Sequence, residues 1–339
     1  MRVLVTGGAG YIGSHVIRAL LDAGHEVVVL DDLRDGHRSA IGGGAHLVEG
    51  DIADPASLDR ALGPGGVQGV IHMAASCLVG ESMRRPTKYF DNNVVRGLRL
   101  IELLIARGVR SFVLSSTAAV YGSPTVAADE PITEDHPCAP TNVYGETKLA
   151  LERALDWYAR CTPLRAVALR YFNAAGADPG GSIGEDHDPE THLIPLICRA
   201  ARDPAVPLTV MGRDYDTPDG TCLRDYVHVH DLAAAHLLAL KALEDEPDPG
   251  GLQVYNLGAE RALSVMQVLA AAERVIGRKV PFVDGSRRPG DPPVLLASSE
   301  RIRRDLGWNP RKSDIDTILR TAWHWHDTHP SGYGGDVLS

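Results

Sequence analysis

No stretch of this 339-residue chain offers the roughly 18–20 consecutive apolar residues that a membrane span requires. The first residues run directly into a strand-like segment, so no signal or transit peptide is expected. Cysteine is scarce. Cys77, Cys138, Cys161, Cys198 and Cys222 are odd in number, scattered and never spaced C-x-x-C. That argues against a disulfide framework or a zinc site, and for the reducing cytoplasm. Positive charge is also in deficit. A formal net charge of −10 argues against nucleic-acid partners and anionic membrane surfaces. It requires any anionic small substrate to be met by arginines placed locally. There is no internal repeat and no low-complexity tract. What is present, 44% hydrophobic and 23% charged residues, is the composition of a soluble globular protein with one large or two ordinary domains.

Arg2 to His15 reads R-V-L-V-T-G-G-A-G-Y-I-G-S-H. Val3, Leu4 and Val5 suit a buried parallel strand. Gly7, Gly8, Gly10 and Gly13 follow, and a helical pattern then opens at Ile12. The glycines fit both G-x-G-x-x-G and G-x-x-G-x-x-G. Either spacing serves a tight turn that brings a pyrophosphate close to the backbone at a helix N-terminus. A second strand, Glu26 to Leu30, ends at Asp31. An acid there suits the ribose hydroxyls of an adenosine and repels a 2′-phosphate. Asp32 strengthens the preference for NAD, whereas Arg34 and Arg38 keep NADP open.

The alternation continues. A strand at Ala45–Val48 leads to Asp51, which either accepts a hydrogen bond from adenine or caps the turn before Pro55. Gly69–Met73 is a strand followed by the small pair Ala74-Ala75. A helical run from about Pro86 to Ala106 carries Asn92 and Asn93, amides of low helix propensity. Ser111–Leu114 is a strand that runs into Ser115-Ser116-Thr117. A proline-rich loop, Pro124 to Pro140, precedes a helix opened by Tyr144-Gly145-Glu146-Thr147-Lys148. Tyr144 and Lys148, four apart, share a helix face. A nearby ammonium and the positive ring of oxidised NAD favour a phenolate. About 2.7 kcal/mol lowers a tyrosine pKa by two units, enough to make it a base near neutrality.

Ala166–Leu169 is a sixth strand, after which the βαβ rhythm lapses. Helices near Leu193–Arg202, Val229–Leu243 and Leu263–Ile276 are separated by loops rich in Gly, Pro and Asp, as in a smaller mixed substrate domain. Arg224, Arg287 and Arg288 lie in these loops and suit phosphate oxygens. His228, His230 and Asp231 imitate a metal cluster, but Asp231 is read as the cap of the next helix, and no metal is expected. Trp323 and Trp325 are read as packing residues. The tail after His329 is expected to be loosely held.

The motifs V-T-G-G-A-G-Y-I-G-S-H, L-D-D-L, E-G-D-I, V-G-E-S, D-N-N-V, L-S-S-T-A-A-V-Y-G, Y-G-E-T-K, R-Y-F-N-A-A-G, L-R-D-Y-V-H-V-H-D-L, Y-N-L-G and R-R-P-G-D together resemble the UDP-glucose 4-epimerase family of extended short-chain dehydrogenase/reductases. The resemblance runs nearly end to end. It implies an α/β fold: a Rossmann-type doubly wound parallel sheet with a smaller mixed C-terminal substrate domain. Residues 1–173 plus about 227–258 would form the NAD-binding part, and about 174–226 plus 259–339 the UDP-sugar part. The implied reaction interconverts UDP-galactose and UDP-glucose by removing and returning hydride at C4, with NAD kept bound. Tyr144 would be the base, Lys148 would lower its pKa and Thr117 would hold the sugar O4.

The resemblance also implies the binding residues. Gly7, Gly10, Tyr11, Ile12, Gly13, Asp31, Asp32, Leu33, Arg34, Asp35, Gly36, Asp51, Ile52, Met73, Ala74, Ala75, Cys77, Asn93, Thr117, Tyr144, Lys148 and Phe172 would line the NAD site. Thr117, Tyr144, Phe172, Asn173, His192, Leu193, Val210, Met211, Arg224, Tyr226, Arg288 and Asp291 would contact UDP-sugar, with Arg224 and Arg288 on the diphosphate. The helices carrying Asn93 and Tyr144 would form a homodimer interface. Three positions depart from the family pattern. Thr117 replaces a common serine, Cys77 stands where some members have lysine or serine, and Leu295 is intermediate in size at a position that tunes the sugar pocket. The remaining alternatives are a UDP-pentose, UDP-uronate or UDP-N-acetylglucosamine 4-epimerase, a 4,6-dehydratase, and a non-catalytic NAD-binding sensor. Ala118-Ala119 stands where dehydratases usually carry Asp-Glu.

Overall fold

Seven parallel strands form the main sheet of the computed structural model, which describes residues 1–124, 130–245, 250–288 and 290–334. Part of the expected 124–140 loop, Pro289 of the R-R-P-G-D motif and residues 335–339 lie outside the described residues. The first six strands are β1 (Arg2–Thr6), β2 (Glu26–Asp31), β3 (His46–Glu49), β4 (Gly69–His72), β5 (Ser111–Thr117) and β6 (Arg165–Tyr171). Three short strands follow: β7 (Asn173–Ala175), β8 (Leu208–Met211) and β9 (Leu223–His228). The chain then returns to the main sheet with β10 (Leu252–Leu257). The order is β10-β6-β5-β4-β1-β2-β3, so the direction of winding reverses between β1 and β4. Ligands of open α/β sheets bind at such a reversal, beyond the carboxyl ends of the strands.

Period-2 alternation explains why the sheet is covered on both faces. Val3, Val5, Val27 and Val29 point into one cluster, whereas Leu4, Val28 and Leu30 point into the other. The first cluster is closed by α1 (Tyr11–Asp22). The second is closed by α2 (Pro55–Leu62), which starts at the Asp54 cap with Pro55 at its first position. Each such buried valine or leucine contributes roughly 1.5–3 kcal/mol. Beyond β4 come α3 (Val79–Arg84) and α4 (Pro86–Tyr89), then a π-helical turn (Phe90–Val95) that runs into α5 (Arg96–Ala106). The long α6 (Val143–Cys161) starts where the Asn142 side chain accepts from the Gly145 N–H at 2.8 Å.

The second half has its own core. It lies among α7 (Leu193–Arg202), α9 (Val265–Ile276) and α11 (Ile315–Thr328). The intervening α8 (Val229–Asp245) instead packs beside α1 on the main sheet, through Leu232, Ala235 and Ala239. The βαβ rhythm expected to lapse after the sixth strand therefore resumes once, as α8 and β10. Three short strands complete this half: β11 (Ala262–Ser264), β12 (Phe282–Gly285) and β13 (Val294–Leu295). β9 is flanked by β7, β11 and β13, and β8 pairs with β12. α10 (Glu300–Leu306) precedes α11.

Two expectations are corrected here. Asp231 does not cap α8. It sits inside the first turn, and its carboxylate accepts from Arg311 N, Lys312 N and Ser313 Oγ, so it fastens a distant loop instead. The tail is tied as far as residue 334. Tyr333 N donates to Asp186, its hydroxyl accepts from Gly184 N, and its ring lies 4.9 Å from His37. Trp325 is fully buried, and its indole N–H donates to the Glu185 carbonyl.

Candidate active site

The glycine turn is shaped by contact as well as by torsion. Gly7 has φ +71°, and a Cβ there would meet Ala74 N at 2.4 Å. A Cβ at Gly13 would meet the Gly7 carbonyl at 2.4 Å, so α1 approaches β1 only as glycine. Gly10 is different: its nearest neighbour would be 3.5 Å away. α1 begins there without a capping side chain and without an acid in its first turn. Its unpaired N–H groups and dipole fit a pyrophosphate.

Asp31 ends β2, and its two oxygens accept from Ala9 N and Leu33 N, each at 2.9 Å. Burial raises its pKa against those two hydrogen bonds. The carboxylate thus builds the turn, and its remaining lone pairs suit ribose hydroxyls. Leu33 has φ +56°, a strained value for a bulky residue, and such strain collects at ligand clamps. Arg34 is paired with Asp32 at 2.6 Å, and Arg38 with Glu49 at 2.6 Å. The two arginines that left NADP open are thus committed to acids, and this nucleotide end fits NAD.

Some expected contacts turn out to be engaged within the chain. Asp51 accepts from Ala53 N and pairs with Arg96 of α5, which is the turn-forming alternative for that acid. Tyr11 donates its hydroxyl to the Gly176 carbonyl at 2.6 Å, leaving its position at the helix N-terminus as its route to a phosphate. Asn93 is buried in the π-helical turn. Its carbonyl accepts from Ser76 N, and its amide donates to Ser76 O and Thr147 Oγ1. Met73, Ala74 and Ala75 follow β4 beside Gly7. Cys77 is exposed.

β5 carries its hydroxyls to the carboxyl edge, and α6 lays Tyr144 and Lys148 over them. Thr117 is buried at the end of β5, where its side chain accepts from Ala119 N at 3.1 Å. Tyr144 is held through its own N–H, which donates to the buried Ser82 Oγ at 3.2 Å. Lys148 Nζ donates to the Ser115 carbonyl at 2.8 Å. Burial pushes the Tyr144 pKa well above its usual value; Tyr171 and Cys77 add to the rise, and a hydrogen bond with Thr117 opposes it. Burial pulls Lys148 down to about 8, against Cys77 and Glu152. The ammonium rests on a strand carbonyl, and burial leaves the phenol protonated in the chain by itself.

The expected sugar-nucleotide residues divide in two. Arg224 is buried, with its guanidinium 3.7 Å from Asp291. Arg288 reaches the Thr191 carbonyl at 3.3 Å, next to His192. Arg287, by contrast, is locked by Asp214 and lies over the Tyr215 ring. Phe172 and Tyr226 are buried, and Asn173 pairs with Tyr226 across β7 and β9. Val210 is 1% exposed in the core of the second half, and Leu193 packs against the same core. Their side chains serve packing, whereas Met211, at the end of β8, is half-buried.

Several supporting residues escaped the sequence reading. Ser82 and Ser115 hold the tyrosine and the lysine. Asp225 is fully buried and accepts from Ala259 N, Glu260 N and Ala297 N, which knots three segments behind Arg224. Burial raises its pKa to about 7 against those hydrogen bonds. Its place beside Arg224 in L-R-D-Y was the available signal, but nothing in the spacing names its partners.

Comparison with known proteins places this geometry. The model of the NAD dependent epimerase/dehydratase family matches residues 3–258. A UDP-glucose 4-epimerase from Lacticaseibacillus casei is 49% identical over 335 residues, covering 98% of this chain and 99% of the relative. The crystal structure of UDP-glucose 4-epimerase from Brucella ovis in complex with NAD is 46% identical, with TM-score 0.90 over 96% of this chain and 98% of that one. The enzyme from Bifidobacterium longum, in complex with NAD+ and UDP, is 35% identical, with TM-score 0.91 over 98% and 100%. This chain belongs to the NAD-dependent epimerase/dehydratase family and, within it, to the UDP-glucose 4-epimerases.

Proposed function

We infer that the chain interconverts UDP-galactose and UDP-glucose at C4 through a transient 4-keto sugar, with NAD held throughout. The observation that carries this is the meeting of Thr117, Tyr144 and Lys148 at the carboxyl edge of β5, two strands from the uncapped glycine turn. NAD, when bound, supplies the acceptor and donor of hydride and a positive charge beside the phenol. Tyr144 takes the proton from the sugar O4 and returns it, Thr117 orients that oxygen, and the buried Lys148 ammonium lowers the cost of the phenolate. Arg224 and Arg288 hold the diphosphate, and Asp291 orients Arg224. The short 3-10 turn after Thr117, Ala118–Tyr121, contains no acid, which favours epimerisation over loss of water.

Residues 1–173 with about 227–258 are taken as the NAD-binding part, because α8 and β10 pack on the main sheet. About 174–226 with 259–339 is then taken as the UDP-sugar part. Leu295 of β13 lies opposite Arg224 and packs against the small cluster that contains Phe172, so it is the natural gauge of the sugar. No described helix is long and apolar enough to cross a membrane, and five free cysteines suit a reducing cytoplasm. We place the chain there as a homodimer.

Purified protein is expected to convert UDP-galactose to UDP-glucose without stoichiometric NAD. Stoichiometric consumption, or a dehydrated product, would overturn the reading. Tyr144→Phe should retain bound NAD and lose at least about 100-fold in turnover; near-normal turnover would remove Tyr144 as the base. A panel of UDP-hexoses, N-acetylhexosamines, pentoses and uronates sets the range that Leu295 allows.

A further inference from the structure

The loop between β7 and α7 gathers two carboxylates and two imidazoles into one small space. Glu185, His187, Glu190 and His192 each present one ligand atom, and the four atoms lie within 4.8 Å of one another. His192 Nδ1 is 2.9 Å from Glu185 Oε1 and 2.9 Å from Glu190 Oε1. His187 Nδ1 is 3.3 Å from Glu185 Oε1 and 3.6 Å from Glu190 Oε2. A zinc ion with bonds of about 2.0–2.2 Å in a tetrahedron sets its ligand atoms about 3.3–3.6 Å apart. The two His187 separations match those edges, and the two His192 separations, now at hydrogen-bond length, would open by about 0.4–0.7 Å to admit the ion.

The acids are not loose surface groups. The Glu185 and Glu190 side chains are only 5% and 14% exposed. Glu190 is oriented by its own loop, since Oε1 accepts from Thr191 N and His192 N. Glu185 is anchored at its main chain, where its carbonyl accepts from the buried Trp325 indole. His187 Nδ1 is buried and lacks a well-formed hydrogen bond, although both carboxylates are near. Burial opposes charge on both rings, but Glu185 and Glu190 outweigh it and raise the His187 and His192 pKa values to about 10, so zinc enters by displacing those protons. Two imidazoles and two carboxylates are then donors that zinc takes.

We propose that Glu185, His187, Glu190 and His192 form a closed, four-ligand Zn2+ site that rigidifies the wall of the substrate cleft. The loop it would fix touches both sides of the molecule. The His187 ring meets the Tyr11 ring edge-on at the start of α1, with centroids 6.3 Å apart. Glu185 holds α11 through Trp325. Arg288 reaches Thr191 between two of the ligands. The role is structural, because four protein ligands leave no open position for a reacting water. Ligation through Nδ1 leaves the second nitrogen of His192 as a donor, so the site is compatible with His192 also facing the UDP-sugar.

The test uses untagged, NAD-bound protein freed of metal by a chelator and then titrated with Zn2+ alone. The expected result is one zinc per chain retained after dialysis and a concentration-dependent rise in Tm. Co2+ in place of zinc should give the visible absorption of a tetrahedral site with no thiolate charge-transfer band. His187→Ala and Glu190→Gln should each weaken zinc retention by at least about 100-fold, beyond the 10–100-fold typical of losing a supporting residue. Protein that takes up no zinc and shows no Tm response would overturn the proposal, leaving the four groups as imidazolium–carboxylate pairs. So would a cobalt spectrum with thiolate character, or uptake that survives in His187→Ala. None of these readouts depends on turnover, so failure here is separable from failure of the epimerase reading.

Discussion

At the scale of single residues, the site turns on a lysine buried beside a tyrosine. The sequence supplied the pair, because a spacing of four on a helix puts both on one face. It could not supply the partner of the ammonium, because Ser115 O is a main-chain atom of a strand that any residue would present. Burial shifts the Lys148 pKa from 10.5 to about 8. The sign of the linkage follows. Between about pH 8 and 10.5 the unfolded chain binds the proton and the folded chain does not, so stability from this group rises with pH. At about 1.4 kcal/mol per unit, the gain is bounded at roughly 3 kcal/mol. Cofactor-free wild type should therefore gain stability relative to Lys148→Met as pH rises through that window, measured by denaturant unfolding of both. A difference that stays flat would show that Lys148 remains charged when buried. Gly13 offers a second test of the same neighbourhood. Gly13→Ala drives a methyl to within 2.4 Å of the Gly7 carbonyl, so α1 must move away from the turn. Bound NAD should be lost on gel filtration, whereas an alanine at the open Gly10 should retain more of it.

At the scale of elements, the helix from Pro86 onward shows where pattern reading stops. Asn92 and Asn93 mark an anomaly, because amides are poor helix formers. The structure resolves it as a π-helical turn between α4 and α5, a distortion that often accompanies function. Asn93 there spans three elements. It satisfies both main-chain groups of Ser76 beyond β4 and reaches Thr147, one residue before Lys148. The reason for the amide is a loop 17 residues earlier, invisible to local periodicity. Asn93→Ala would leave the Ser76 N–H and C=O unpaired in a buried place, at about 1–3 kcal/mol each. We expect a loss of roughly 2–4 kcal/mol in urea unfolding, together with weaker NAD retention, since the loop lies next to Ala74 and Ala75. A loss below about 0.5 kcal/mol would mean that water replaces the amide at no cost. By contrast, the start of α1 was readable, because its glycines act within four residues of themselves, whereas α2 is capped by Asp54 and not by Asp51, the acid singled out before Pro55.

At the scale of the whole molecule, the six leading strands were legible because parallel strands covered on both faces read as short apolar runs. The return of β10 was not legible from pattern. Its first three residues are only half-buried at the sheet edge, so L-Q-V-Y-N-L lacks that signature, and only the family resemblance pointed to it. Exposed apolar side chains give the molecule a further feature that composition hides. Val79 and Met83 on α3, Phe90 and Val95 in the π-helical turn and Trp157 on α6 are all exposed, Trp157 by 67%. These helices pack on one another, so five of the eight exposed large hydrophobics among the described residues sit on one group of neighbouring helices. A tryptophan left in water at that level forgoes much of the stabilisation its burial would bring. A second copy of the same face would cover it, and a stable dimer typically buries about 1,200–2,000 Å² in total. Helix faces that meet across a two-fold axis bring Trp157 close to the equivalent surface of the partner. Trp157→Glu therefore places a carboxylate in a self-complementary contact twice over. The wild type should run as a dimer in light-scattering analysis and the variant as a monomer with unchanged far-UV circular dichroism. Because α6 also carries Tyr144 and Lys148, the monomer should turn over more slowly than the dimer. A wild type that is monomeric, or a Trp157→Glu protein that stays dimeric, would move the interface to another face.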